Sequence, residues 1–296
     1  MKRKPYNREK YTMPAELELD VDDLFIQRGA SGSRDRTITE RLPQWIENFK
    51  VNRDTIGFKV SVADLPKIRG SVLVVDKSFA STKFYEQVHH LKDYNGTLIV
   101  CDRALAYVLK HRVPEYVCQL DSSYLCQYFL DLPEVKKHMH EMTCIFASTT
   151  HPLTVRLWNG PRVWFQPYMG SWSLTNAMMG ESGLPYMPTG GEVSTFGWLL
   201  ALNIGAKNIG LFGITNSYDD LNETEYPGVK HKKIEGPYGT CWADPVYEFY
   251  AKTHLAYIKL AKEKLGIRTI NTMKAGVMYS DYVEDMSLEE FVREFK

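Results

Sequence analysis

The sequence predicts an α/β fold: a mostly parallel sheet flanked by helices, preceded by an N-terminal extension. From residue 70 onward, short β-branched runs alternate with amphipathic segments of about ten residues, the pattern of βαβ units. Polar and acidic residues follow nearly every run, and a sheet of this kind carries its ligands beyond the carboxyl ends of its strands.

Residues 1–50 form the extension, rich in charge and poor in apolar period. GASGSRDR (29–36) reads as a flexible loop and ITERLPQWIENF (38–49) as a short docking helix. The remainder, 51–296, reads as one domain. Its first strand is GSVLVV (70–75), too short and too β-branched for a helix. A helix over 81–94 follows, with Phe84, Val88 and Leu91 on one stripe and Asn95-Gly96 as its stop. TLIVC (97–101) is a strand, RALAYVLKH (103–111) a helix, and EYVCQL (115–120) a strand led in by Pro114. TCIFAS (143–148) and RVWFQP (162–167) are the next strands. Residues 168–188, rich in Gly, Ser, Met and aromatics, read as a long loop or lid. A helix over 192–204, a strand over 208–214, a long helix over 244–266 and a strand over 268–271 come next. The terminal helix, 287–295, takes Ser287 as its N-cap.

Composition narrows the function. Lys plus Arg equals Asp plus Glu at 36 each, so no basic field argues for nucleic acid. The five cysteines form no CxxC and no metal-ligand spacing, which fits packed free thiols in a reducing cytoplasm. No apolar stretch reaches the ~18 residues of a membrane span, and the basic start lacks the apolar core of a signal peptide.

The strand ends supply the candidate chemistry. Asp102 and Asp121 close two strands joined by a short crossover, and neighbouring strands lie about 4.8 Å apart, so both carboxylates are candidates to share one Mg²⁺. The alternative is that each caps or turns the segment that follows it. The Gly190-Gly191 turn opens a helix, where free N–H groups and the dipole favour an anion, and Thr189, Ser194 and Thr195 add hydroxyls. Glu192 works against a phosphate there and is read as reaching outward to a sugar hydroxyl. Lys77 and Ser78 are phosphate contacts by side chain, and Ser122, Thr215 and Asn216 are polar groups on the same edge. His151 is a candidate general base or a turn residue. Tyr218 is a candidate to stack on a base or a packing residue.

Three stretches carry a resemblance. VLVVDKSFAS…LKDYNGTLIVCDRALAYVLKHRVPEYVCQLDSS, TGGEVSTFGWLLALNIGAKNIGLFGITNSY and IRTINTMKAGVMYSDYVEDMSLEEF, in that order, resemble the MptE-like Rossmann family. That family holds 6-hydroxymethylpterin diphosphokinases and flagellin-glycosylating motility accessory factors. The helix start Gly190-Gly191-Glu192-Val193 matches the family's G-G-x-V, and Asn271, Gly276 and Ser287 to Glu290 match its late motif. The first loop departs: Asp76-Lys77-Ser78-Phe79-Ala80 stands where the family has a glycine-rich turn.

The resemblance implies a Rossmann-like fold and a nucleotide-dependent transferase. One reading is a glycosyltransferase using a CMP-type sugar, with His151 or a strand-end carboxylate as base. Another is a pyrophosphokinase that holds Mg-ATP on Asp102 and Asp121 and acts on a hydroxymethylpterin-like acceptor. A third is a non-catalytic nucleotide-binding module. The resemblance also makes a homodimer an expectation, on which the residues themselves carry nothing.

Overall fold

The computed structural model describes residues 31–77, 82–221 and 229–295, the side chains of 31–36 excepted. Its centre is an eight-stranded sheet in the order β10-β9-β6-β1-β2-β3-β4-β5, every neighbouring pair parallel. The strands are β1 (Ser71–Val75), β2 (Thr97–Cys101), β3 (Tyr116–Gln119), β4 (Thr143–Ala147) and β5 (Arg162–Phe165). The chain then returns across the sheet to β6 (Asn208–Phe212), and ends through β9 (Arg268–Asn271) and β10 (Val283–Asp285). β7 (Lys232–Gly236) and β8 (Gly239–Ala243) form a separate antiparallel hairpin.

Burial on both faces explains why the strands read as unbroken apolar runs. Val72 and Val74 face one side and Leu73 and Val75 the other, all fully buried. Each such side chain contributes about 2 kcal/mol of transfer free energy. The first side packs on α8 (Val193–Asn203) and α9 (Pro245–Leu265); the second packs on α2 (Thr82–Gln87), α3 (Leu105–Val108) and α10 (Leu288–Glu294). α10 begins with the Ser287 capping box that the sequence indicates. Short helices α4 (Gln127–Leu130), α5 (Pro133–His138) and α6 (Pro152–Leu157) fill the crossovers on either side of β4. No helix among the described residues is long and apolar enough to cross a membrane.

The region read as a long loop or lid over 168–188 holds a helix, α7 (Trp172–Ser182). Ser171 caps it and Gly183, left-handed, closes it; its Gly, Ser and Asn content hid an otherwise ordinary helix. α7 covers a small third cluster, in which Met169 and Met178 pack beside Phe49.

The N-terminal segment also differs from expectation. α1 (Ser31–Val51) runs well beyond the short helix and into the stretch read as a loop. It is docked by amides: Asn48 Nδ2 donates to the carbonyls of Ser122 and Thr149, at 3.2 and 3.0 Å. Asn52 Nδ2 donates to those of Ser148 and Thr150, at 3.0 and 2.7 Å. These carbonyls lie just past β3 and β4, so α1 fixes the loops on the ligand-bearing edge. Asn52→Ala strips a buried donor from two carbonyls and is expected to cost about 2 kcal/mol. A denaturant midpoint measures this, and an unchanged midpoint would show that α1 unfolds apart from the sheet.

Candidate functional site

The sheet's order reverses between β1 and β6: successive strands run outward from β1 through β5, and the chain then returns to β1's other side. Ligands of open parallel sheets bind at such a switch point. Around it lie Asp76 and Lys77 after β1, Asp102 after β2, Thr215 and Asn216 after β6, and the N-terminus of α8.

Asp102 is 6% exposed. Its Oδ1 accepts from the Arg103 N–H at 2.8 Å and its Oδ2 from Gln119 Nε2 at 2.8 Å. Burial, reinforced by the neighbouring Asp76 carboxylate, pushes its pKa up to about 7. Asp121 takes a different place. Cys101 pairs with Cys118, so the next residues, Asp102 and Gln119, meet across the strands, and Asp121 lies two positions further on. Asp121 is exposed, and its Oδ1 accepts from the Ser123 N–H at 2.7 Å, an Asx turn. The close carboxylate partner of Asp102 is therefore Asp76, which the sequence places on the edge without singling it out. Among the described residues no three His, Cys, Asp or Glu converge as metal ligands. A cation here would rest on Asp76 and Asp102, and substrate oxygens would complete its shell, the usual manner of Mg²⁺.

The glycine pair has a local cause. Both residues have positive φ, 64° at Gly190 and 94° at Gly191, and a Cβ on Gly190 would lie 2.2 Å from Thr195 Cγ2. Thr189 holds the turn: its Oγ1 accepts from Gly191 N–H and its carbonyl from Glu192 N–H, both at 3.3 Å. Those two amides are spent. The N–H groups left over at the helix start are those of the first turn, Val193, Ser194 and Thr195, since Glu192 makes no side-chain cap.

Glu192 turns inward, correcting the outward reach expected from sequence. Its Oε1 accepts from Thr195 Oγ1 at 2.8 Å and Asn216 Nδ2 at 3.2 Å, tying α8 to the loop after β6. Burial, with Asp76 contributing, pushes its pKa up to about 7. His254 Nδ1, on α9, lies 3.9 Å from the same oxygen, fully buried against Trp198. Burial presses the His254 pKa down to about 3, so it stays neutral. The conflict between a first-turn carboxylate and a phosphate thus eases, because Glu192 is only partly ionised at neutral pH.

The other sequence candidates divide. Lys77, Thr189, Ser194, Thr195, Thr215 and Asn216 lie at the switch point or its helix start; Asn216 has φ 48° and Thr215 Oγ1 donates to the Ser217 carbonyl. Ser122 is taken by the extension, its Oγ accepting from Trp45 Nε1 at 3.1 Å. His151 caps α6: its Nδ1 accepts from Leu153 N–H at 3.3 Å, which leaves the proton of the neutral ring on Nε2. This is the turn role that the sequence offers beside that of a base. Tyr218 is fully buried, its hydroxyl donating to Asp244 Oδ2 at 2.8 Å and its ring against Tyr247, so base stacking is closed to it. Ser78 lies outside the described residues.

Fold and site together define a doubly wound α/β domain with acidic side chains and a helix N-terminus at its switch point. Over residues 84–220 the chain matches the family model described as 6-hydroxymethylpterin diphosphokinase MptE-like, as the motifs indicated. The MAf glycosyltransferase from Magnetospirillum magneticum AMB-1 has a similar structure, with a TM-score of 0.64 and 15% identity. That similarity covers 87% of this chain, which spans 39% of the length of the MAf chain. At this identity the likeness is one of fold. No curated protein matches the sequence.

Proposed function

We propose that this protein is a nucleotide-dependent transferase that moves a glycosyl group from a nucleotide-activated sugar of the CMP type to an acceptor hydroxyl. The observation that carries this reading is the pair of buried carboxyls, Asp102 and Glu192, poised near neutrality on either side of Asp76. The nucleotide phosphate lies at the first turn of α8, where free N–H groups and the dipole meet an anion. Glu192 in its acid form adds no repulsion there. Asp102, as carboxylate, takes the proton of the acceptor hydroxyl while that oxygen forms its bond to the sugar. The bond between sugar and phosphate breaks, and the α8 amides hold the departing phosphate. The MptE-like match and the fold shared with a glycosyltransferase support this chemistry.

A second reading has its own observation. Asp76 and Asp102, like charges on adjacent strand ends, suit Mg²⁺, which would neutralise the phosphates of ATP for pyrophosphoryl transfer to a hydroxymethyl acceptor.

Thermal shift against CMP, CTP, AMP, ATP and UDP, each with and without Mg²⁺, tests these readings. A ligand near 100 times its Kd adds about 2.7 kcal/mol, a rise of several degrees. Stabilisation by CMP or CTP in EDTA is the expected result. Stabilisation by ATP only with Mg²⁺ transfers the assignment to the kinase, and silence across the panel leaves a module without nucleotide chemistry.

A further inference from the structure

A cleft opens beside Asp102, away from the start of α8. It is a cavity of about 590 Å³, within the range of small-molecule sites. Three cations line it: Lys77 from the end of β1, and Arg103 and Lys110 from the segment after β2. Tyr107 lies on α3, Arg103 in the 3-10 turn before it and Lys110 in the turn after it, so one short segment supplies all three. The cations rest on aromatic rings. Lys77 Nζ lies 4.9 Å from the centroid of Tyr107, Lys110 Nζ lies 5.5 Å from the same ring, and the Arg103 guanidinium lies 5.7 Å from Phe129. Two ammonium groups thus share Tyr107, and neither is paired with a carboxylate among the described residues. Aromatic faces hold a cation in place without neutralising it. The acidic members of the lining are Asp102, on the floor, and Glu134.

We infer that this cleft is the acceptor subsite and that the acceptor is anionic: a ring compound bearing a phosphate or carboxylate. Its charge meets Lys77, Arg103 and Lys110, its ring lies against Tyr107 and Phe129, and its hydroxyl is presented to Asp102. The assignment of an acceptor rests on the transferase reading above; the anion-binding cleft does not. Lys110 is the residue to test, being exposed and remote from α8.

The probes are phenyl phosphate, benzoate and the neutral control phenol, titrated by calorimetry into the unsubstituted protein and into Lys110→Gln. Phenyl phosphate or benzoate is expected to bind at least about tenfold more tightly than phenol, and Lys110→Gln to lose about that factor. The better of the two anions identifies the oxyanion the cleft accepts. Raising the salt weakens this binding, as for any partly exposed ion contact. Lys110→Arg should retain it, which separates charge from packing. Equal affinity for the anions and phenol, or anion affinity indifferent to Lys110→Gln, overturns the inference. CMP and ATP shifts measured on the same variant keep the two readings apart. A Lys110-dependent anion site in a protein that binds no nucleotide sinks the transferase assignment and leaves the cleft. Nucleotide affinity that falls together with anion affinity makes the cleft part of the nucleotide's own site and removes the separate acceptor subsite.

Discussion

Asp102→Asn is expected to lower turnover by about 10²–10⁴-fold, with nucleotide affinity kept within severalfold. The substitution preserves the shape of the side chain and removes its capacity to take a proton. Gln119 must then turn its amide over to accept from the new NH₂, giving up the bond its Oε1 now accepts from Asp121 N–H. That cost is local, since α8 and its free amides lie across Asp76 from it. Single-turnover release of CMP from the stabilising nucleotide sugar measures the rate, and thermal shift measures the affinity. In the unsubstituted protein the rate should rise with pH through about 7, as the carboxyl ionises, and the variant's residual rate should be flat. Undiminished turnover would remove Asp102 from the chemistry. Turnover and affinity lost together would make it a structural support.

Much of this architecture was legible because the strands are buried on both faces. Val72 to Val75 and Leu98 to Cys101 have no polar interruption, and a run of that length fits only a strand. The hairpin of β7 and β8 escaped for the opposite reason. Lys232, Lys233 and Glu235 face solvent, and what ties the hairpin down is long-range: the backbone pairing of Tyr218 with Trp242, the packing of Cys241 and Ala243, and the contacts of Lys232 with Glu248 and Tyr238 with Asp285. At the site, the glycine pair and the strand-end acids were visible, but their partners were not. Which carboxylate faces which depends on strand register, and here a shift of two residues separates Asp121 from Asp102 and leaves Gln119 between. His254 packs against Trp198, and its approach to Glu192 depends on how α9 crosses α8. The inward turn of Glu192 depends on Asn216, which is 24 residues away in the chain. None of these long-range pairings leaves a local signature.

The folded protein should lose stability as pH rises from about 4 to about 8. Asp102 and Glu192 both hold their protons more tightly when folded, near 7 against ordinary values of 3.8 and 4.5. Well below pH 4 both are protonated in either state and cost nothing. Between about 4 and 7 the unfolded chain ionises these groups while the folded protein keeps their protons, so stability falls across that window and levels off above about 7, where both states are ionised. Shifts of this size correspond to about 4 kcal/mol for Asp102 and about 3 kcal/mol for Glu192 taken alone, less for the two together because Asp76 acts on both. The carboxylates of exposed Asp64 and half-buried Glu284 are shifted downward and work in the opposite direction, mostly below pH 4.5. Unfolding midpoints in EDTA at pH 5 and pH 8 measure the difference. Asp102→Asn and Glu192→Gln should each raise the midpoint more at pH 8 than at pH 5, which flattens the curve. A nucleotide phosphate bound beside Glu192 adds negative charge and favours its acid form, so binding in the unsubstituted protein should take up protons near pH 7.5, and Glu192→Gln should abolish that uptake. If both variants follow the parent curve, the two carboxyls are ionised in the folded state at ordinary cost, and neither can act as a proton carrier near neutrality.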